Sequence, residues 1–417
     1  MAREHFLEGK DIVVAGAGVA GLAFALNLQK QWGDNARPPR VVVFDRDKRE
    51  VDLRRQGYSQ TLSGIKEDTG LVVLKQLGLL GKVLDGAVMT DAISKFTIWD
   101  KDWIASPSFN VPAYGDMPTS AVRIPRRVLR MILIDAAEAA GIEVHWGVSC
   151  EAPECLDDGR VEIRLRTADD GGGTQSTTTK CDLIIVADGA NSKIRTSLRP
   201  DDTLQYTGLM MMGGVAEFPD NAVPDHIRDK WGMVLTDQGV SCFLSPTSQM
   251  GYHWGLSWRE QSPRAPPTTW SIEYTQSLKS EALQRGRVIA EPFATIVERT
   301  DPSTIFIMAG MDKRPFSHEH LRGVVFIGDS NHAFSPLAGN GANVALKDGY
   351  DLAEQLCKAS SMHDAVSQFD RESVPRAFRT LDRSHERIAS AHTTQLDRDQ
   401  FTDGSGANDF LVGQGQS

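Results

Sequence analysis

Three glycines, one strand-end aspartate and two later acid–glycine pairs are the residues whose types and spacing can do chemistry. Gly16, Gly18 and Gly21 form a Gly-x-Gly-x-x-Gly between the apolar run Asp11 to Ala15 and an Ala/Leu-rich stretch, Leu22 to Gln31. At a strand-to-helix turn each glycine has its own task. Gly16 permits the tight turn, Gly18 lets a pyrophosphate approach the backbone, and Gly21 allows close helix–strand packing beneath free helix N–H groups. Asp45 closes a second β-branched run, Val41 to Phe44, 24 residues after Gly21. There it is placed to accept hydrogen bonds from an adenosine ribose, with Arg46 beside it. This unit predicts a dinucleotide site and leaves NAD and FAD both open.

The elements that must position these residues follow from periodicity. A βαβ unit accounts for residues 11–45, and a helix is expected near 68–77. Pro125 opens an amphipathic helix with Val128, Leu129, Ile132, Leu133, Ala136 and Ala140 on one face, and Gly141 stops it. Ile142 to Trp146 and Val161 to Leu165 read as strands, Asp169 to Thr179 as an exposed hairpin loop, and Leu183 to Ala187 as a buried parallel strand. Between Thr203 and Thr304, aromatic β-rich stretches alternate with Pro-rich loops, which predicts an inserted antiparallel sheet. Ile305 to Ala309 and Val324 to Ile327 return to buried strands, and the chain beyond Gly341 reads as helical until a Gly/Asn/Gln-rich tail, 401–417.

Composition narrows the class. The chain has 417 residues, 45 Lys+Arg against 55 Asp+Glu and a formal charge of −10, so a nucleic-acid or polybasic membrane role is not expected. Five cysteines without metal-ligand spacing fit a reduced, cytoplasmic protein that binds no metal. The apolar run from Ile12 to Leu26 is too short to span a membrane, and Glu4, Glu8 and Asp11 offset the basic residues a secretory leader needs.

Two later motifs bear on the cofactor: Cys181-Asp-Leu-Ile-Ile-Val-Ala-Asp188-Gly189-Ala-Asn-Ser192-Lys-Ile-Arg195, and Gly328-Asp329-Ser-Asn-His332-Ala-Phe-Ser-Pro336-Leu-Ala-Gly339-Asn-Gly341-Ala342-Asn343, ahead of a helix carrying Asp348. With the glycine turn they make the chain resemble the group A FAD-dependent aromatic monooxygenases, the para-hydroxybenzoate hydroxylase family, in a layout similar to the tetracycline-inactivating flavin monooxygenases. The resemblance runs from about Lys10 to Ala391. It implies an α/β fold: a Rossmann-type FAD-binding domain (1–78, 120–202 and 305–345), an inserted antiparallel-sheet substrate domain (79–119 and 203–304) and a C-terminal helical region (346–400). It also implies that Asp329 binds the FAD ribitol, that the turn from Pro336 to Asn343 passes the flavin with helix N–H groups facing its anionic edge, and that Asp188, Arg54 and Arg126 serve the cofactor. The sequence departs from the family at Asp45 (usually Glu), at Asn340 and at Ser330-Asn331.

The same resemblance implies a single-component enzyme. NAD(P)H would bind transiently and reduce FAD, and a flavin C4a-hydroperoxide would then deliver one oxygen atom to an electron-rich aromatic or enol substrate by hydroxylation or epoxidation. The strands around Gln238 to Phe243 and Gly251 to Gly255 resemble the substrate sheet of such enzymes. They make Phe243, His253 and Gly255 the pocket candidates, with Pro336 at the flavin side, Met212 as an adaptable apolar contact and His253 the one candidate base. Tyr252, Trp254 and Trp258 are read as sheet core, and His332 as a structural residue. The implied partners are a small-molecule aromatic or polycyclic substrate, expected to be a large, partly apolar natural product, and O2, with a monomer or weak dimer as the assembly. A reductase or oxidase on the same fold, Baeyer–Villiger oxygenation and a non-catalytic flavin-binding partner are the alternatives. The Trp-x-Trp-x-Ile motif of flavin-dependent halogenases is not matched by Gly251-Tyr-His-Trp-Gly255.

Overall fold

The β-branched runs become strands where both faces can be covered. In the computed structural model, which describes residues 5–33, 37–50, 58–107, 110–168, 174–219 and 222–394, five of them form an all-parallel sheet. Its order is Val324–Phe326, Leu183–Val186, Asp11–Ala15, Arg40–Asp45 and Glu143–Trp146. Near-continuous Val/Ile runs suit strands buried on both sides. The Val19–Trp32 and Arg126–Ala139 helices pack on this sheet. Gly349 in the Gly341–Lys358 helix sits so close to the Val19–Trp32 helix that a Cβ there would lie 2.6 Å from the Phe24 amide nitrogen.

The inserted sheet has six strands, ordered Phe306–Asp312, Gln205–Glu217, Gly251–Arg259, Val240–Pro246, Trp231–Leu235 and Phe96–Asp100. Only the pairing of the last two is parallel. Its back face carries Met210, Met212, Cys242, Trp254 and Leu256, under a cover that includes the Ile272–Arg285 and Phe293–Glu298 helices. Its front face carries Leu209, Met211, Trp231, Met233, Phe243 and Phe306, against Leu337 and the end of the Met362–Ala391 helix. A three-stranded antiparallel sheet, Ser59–Ser63, Ala121–Pro125 and Met89–Thr90, lies at this seam.

Two sequence expectations are corrected. The 305–309 stretch was expected among the buried strands of the cofactor part, yet Phe306–Asp312 is an edge strand of the antiparallel sheet, paired with Gln205–Glu217. Apolar content is the same in both settings, so it does not report strand direction. The Thr-rich stretch expected as loop is largely the strand Thr174–Cys181, in register with Val161–Ala168, because threonine's β-branch favours extended backbone even at an exposed surface. Arg54 and the 401–417 segment lie outside the described residues. No described helix is long and apolar enough to cross a membrane.

Candidate functional site

The glycine turn is fixed by three different constraints. Gly16 has φ +118°, a Cβ on it would sit 2.3 Å from Ala187 O, and its N–H donates to Phe44 O at 2.7 Å. At Gly21 a Cβ would fall 2.0 Å from Gly16 O, so the helix closes directly on the turn. Gly18 caps the helix with ordinary extended backbone, φ −81° and ψ −172°, and nothing lies within 4 Å of its Cβ position. Gly16 and Gly21 are glycine for packing, whereas the space at Gly18 opens into the cleft, whose free helix N–H groups suit a phosphate.

That cleft is lined by Gly16, Gly18, Asp45, Arg46, Arg126, Arg130, Cys150, Asp188 and Lys193, among others. Asp45 also has a structural task. Its Oδ2 accepts the Ala17 N–H at 2.6 Å and its Oδ1 the Asp47 N–H at 2.7 Å, so it also staples the glycine turn to the second strand. Burial pushes its carboxyl up, against those two N–H groups. Asp188 takes the Lys193 N–H on Oδ2 at 3.1 Å, while its Oδ1 is buried without a partner. Burial raises this carboxyl too. An acceptor left over beside an open phosphate cradle fits a hydroxyl-bearing dinucleotide.

Cations balance this end. Arg126 donates from Nη1 to the Tyr58 hydroxyl, and its guanidinium is held protonated first by Tyr58 and also by Asp329. Arg130, one turn on, lies 5.1 Å over the Trp146 ring and donates to Arg49 O at 2.9 Å. Sequence reasoning missed Arg130 although its i, i+4 spacing from Arg126 puts both on one helix face. Nothing in the sequence pointed to Tyr58. Asp329 is open to solvent on one side, but its close surroundings push its carboxyl up, opposed by His332 and Arg126.

The Gly328–Asn343 segment is held from below. Asp348 Oδ2 accepts the Gly328 N–H at 2.9 Å and meets His332 Nε2 at 2.6 Å, and its Oδ1 takes Arg376 Nη2 at 3.0 Å. His332 is 2% exposed and locked to this carboxylate, in keeping with the structural reading. Pro336 is exposed at the start of a short turn, Pro336–Ala338, and Gly339 follows at φ +65°. Gly341 and Ala342 open the next helix, which has no side-chain cap, so its first N–H groups are free to face an anion. Asn343 is different. Its Oδ1 accepts the Ser63 and Gly70 N–H groups at 2.9 and 3.1 Å and its Nδ2 donates to Thr61 O at 2.9 Å, so its amide is spent pinning three elements together.

Substrate candidates sort by strand parity. Phe243 and Gly255 are direct cross-strand partners, and His253 lies two residues on, all on the front face. His253 stacks on Phe306 at 5.6 Å and 5°, within 6.2 Å of Phe243 and 6.4 Å of Tyr58. Met212 is the correction: it points into the back core, and Met211, whose sulfur would meet a Gly255 Cβ at 3.3 Å, takes the front-face position. His253 is corrected as a base. Burial, then the Arg123 cation, pushes its imidazole down to about 3, far too weak to remove a phenol proton near neutral pH. Tyr252, Trp254 and Trp258 face the back core as expected.

Comparison with known proteins agrees with this geometry. The profile of the family described as FAD binding domain matches residues 10–384. The monooxygenase cfoF of Aspergillus candidus is 89% identical over 417 residues, the full length of both chains. Among solved structures, Klebsiella pneumoniae HpxO, complexed with FAD and uric acid, superposes with a TM-score of 0.71 at 18% identity, covering 97% of this chain and 94% of that one. Tetracycline destructase Tet(55) does so with a TM-score of 0.69 at 18% identity, covering 98% and 96%. These two structural likenesses concern the fold alone. Family match and full-length relative together place the chain in the FAD binding domain family, as an FAD-dependent monooxygenase.

Proposed function

We propose that the enzyme uses NAD(P)H and O2 to insert one oxygen atom into an electron-rich aromatic or enol carbon of a partly apolar natural product. The observation that carries this reading is the front face of the antiparallel sheet. Phe243, His253, Gly255 and Met211 share it, and its apolar cluster continues into Leu337 of the turn that begins at Pro336. FAD, held by the glycine turn, Asp45, Asp188, Arg126 and the free N–H groups at Gly341 and Ala342, would supply the redox and oxygen-activating chemistry.

The chain's own residues have the remaining work: binding the substrate ring, orienting it toward the Pro336 turn and excluding water. With His253 uncharged and weakly basic, that face favours positioning over proton abstraction. One strand–glycine turn–helix unit supports transient rather than resident NAD(P)H. Five free cysteines suit a reducing compartment, and the cytoplasm is the proposed location.

The test is turnover of the purified holoenzyme with NADPH or NADH under 18O2, across a panel of phenols and cyclic 1,3-diketones. The expected result is substrate-stimulated NAD(P)H oxidation with a single labelled oxygen in the product. Stoichiometric hydrogen peroxide and no labelled product from any of them would instead assign a reductase or oxidase.

A further inference from the structure

Arg123, on the Ala121–Pro125 strand, is 3% exposed and plays no part in the cofactor cleft. Its Nε and Nη2 donate to Ser245 Oγ at 3.0 and 2.6 Å, Nη2 also to Ser59 O at 2.6 Å, and Nη1 to Thr61 Oγ1 at 2.8 Å. All these acceptors are neutral. The guanidinium lies 4.5 Å over the Trp231 ring and 5.5 Å from that of Phe243. Burial pushes its guanidinium down, and among the described residues no carboxylate opposes that. Lys313, just as buried, holds Asp202 at 2.9 Å, and Arg376 holds both Asp348 and Asp351. A buried cation without a counter-charge is costly, and neutral acceptors offset only part of that cost.

One of its five N–H donors, on Nη1, is unclaimed by any described residue. Nη1 is the end beside Thr61, and Thr61 and Phe243 are both only half-buried, so the fork reaches the rim of the front face. The other titratable groups there are His253 from the Gly251–Arg259 strand, Tyr58 ahead of Ser59–Ser63, and Arg126 from its helix. Among the described residues, the carboxylates acting on this set are Asp329 and Asp47, both through Arg126 on the cofactor side. The front face is therefore a cationic aromatic surface.

We propose that Arg123 forms an acidic-group subsite on the front face, taking an aromatic ligand as its anion with the charged oxygen on Nη1 and the ring among Phe243, His253 and Phe306. This rests on reading the front face as the substrate side. For a phenol the O–H bond breaks, the proton goes to solvent and the electron pair stays on oxygen. For a carboxylate the ligand arrives already ionised. Arg123 rather than a base then selects the anion, by stabilising it with a charge-assisted hydrogen bond.

The test is ligand binding to the oxidised holoenzyme, without NAD(P)H, using two pairs of probes: 7-hydroxycoumarin against 7-methoxycoumarin, and 2-naphthoate against its methyl ester. At least one anion should bind about tenfold more tightly than its neutral partner, and bound 7-hydroxycoumarin should ionise about one pH unit lower than free. The phenol arm and the carboxylate arm identify which acid the subsite takes. Arg123→Met should abolish the preference while the flavin spectrum persists, and Arg123→Lys should keep part of it. The wild-type comparison stands even if Arg123→Met does not fold. Equal affinity within both pairs, binding of none of the four, or a preference surviving in Arg123→Met overturns the subsite. Neutral ethers oxygenated as fast as phenols would overturn the subsite yet leave the monooxygenase reading intact. An anion preference without labelled product would do the reverse.

Discussion

The cofactor cleft and the front face of the antiparallel sheet meet at Tyr58, but they are built in opposite ways. The cleft comes from short contiguous motifs, each closed by its own backbone: Gly16 on Phe44 O, Asp45 on the Ala17 and Asp47 N–H groups, Asp188 on the Lys193 N–H. The front face takes single residues from strands far apart in the chain, Arg123, Met211, Phe243, His253 and Phe306, and is held by aromatic stacking and one unbalanced cation. A site made of local turns tolerates little change in any one residue. A site made of a sheet face can change its residues without changing the fold, which accords with the proposed roles of cofactor binding for the first and substrate choice for the second.

The largest effect should come from forcing the cleft shut. Gly21→Val places a Cβ 2.0 Å from Gly16 O, and a stability loss of more than about 4 kcal/mol is expected, read as failure to melt cooperatively by circular dichroism. A variant that melts like wild type would show that the turn is not locked as described.

The next test separates the two regions by pH. His253 falls from 6.5 to about 3 on folding. Between those values the unfolded chain binds a proton that the folded chain refuses, so this residue lowers stability as pH falls from 6.5 toward 3. By about pH 4.5 wild type should have lost about 3 kcal/mol more than His253→Phe, in urea melts at each pH. Parallel stability curves for the two proteins would place His253 in water rather than against Phe306. FAD affinity should be the same in both.

The smallest contrast is between neighbours. Met212→Ala should cost about 3 kcal/mol of stability and leave aromatic probe binding unchanged, because Met212 fills the back core. Met211→Ala should weaken probe binding to the holoenzyme, because its sulfur lies beside Gly255 on the front. The opposite pattern would reverse the assignment of faces.

These contrasts also explain what could be read from the sequence. The glycine turn, the strand ending at Asp45 and the helix after Pro125 were legible because strand–turn–helix chemistry is local and its signals are adjacent. Strand parity in Leu209-Met-Met-Met212 was not, since a run that is apolar on both faces has no alternation to read. Asn343 stood inside a recognisable motif, but only the fold shows its amide bound to Ser63, Gly70 and Thr61. Arg123 carried no local signal at all: the strand it sits on was not read from the sequence, and the lack of a carboxylate partner among the described residues is visible only in three dimensions.

The most direct test of the account is FAD titration into the apoprotein of wild type and Gly18→Val, followed by flavin fluorescence. Gly18 has unstrained backbone and nothing within 4 Å of its Cβ position, so the substitution should leave the apoprotein folded, at a cost of no more than about 1 kcal/mol for the poorer helix cap. Wild type should saturate at one FAD per chain, and Gly18→Val should bind at least about thirtyfold more weakly, the equivalent of about 2 kcal/mol. Equal FAD affinity in the two proteins would contradict the assignment of this cleft to the cofactor.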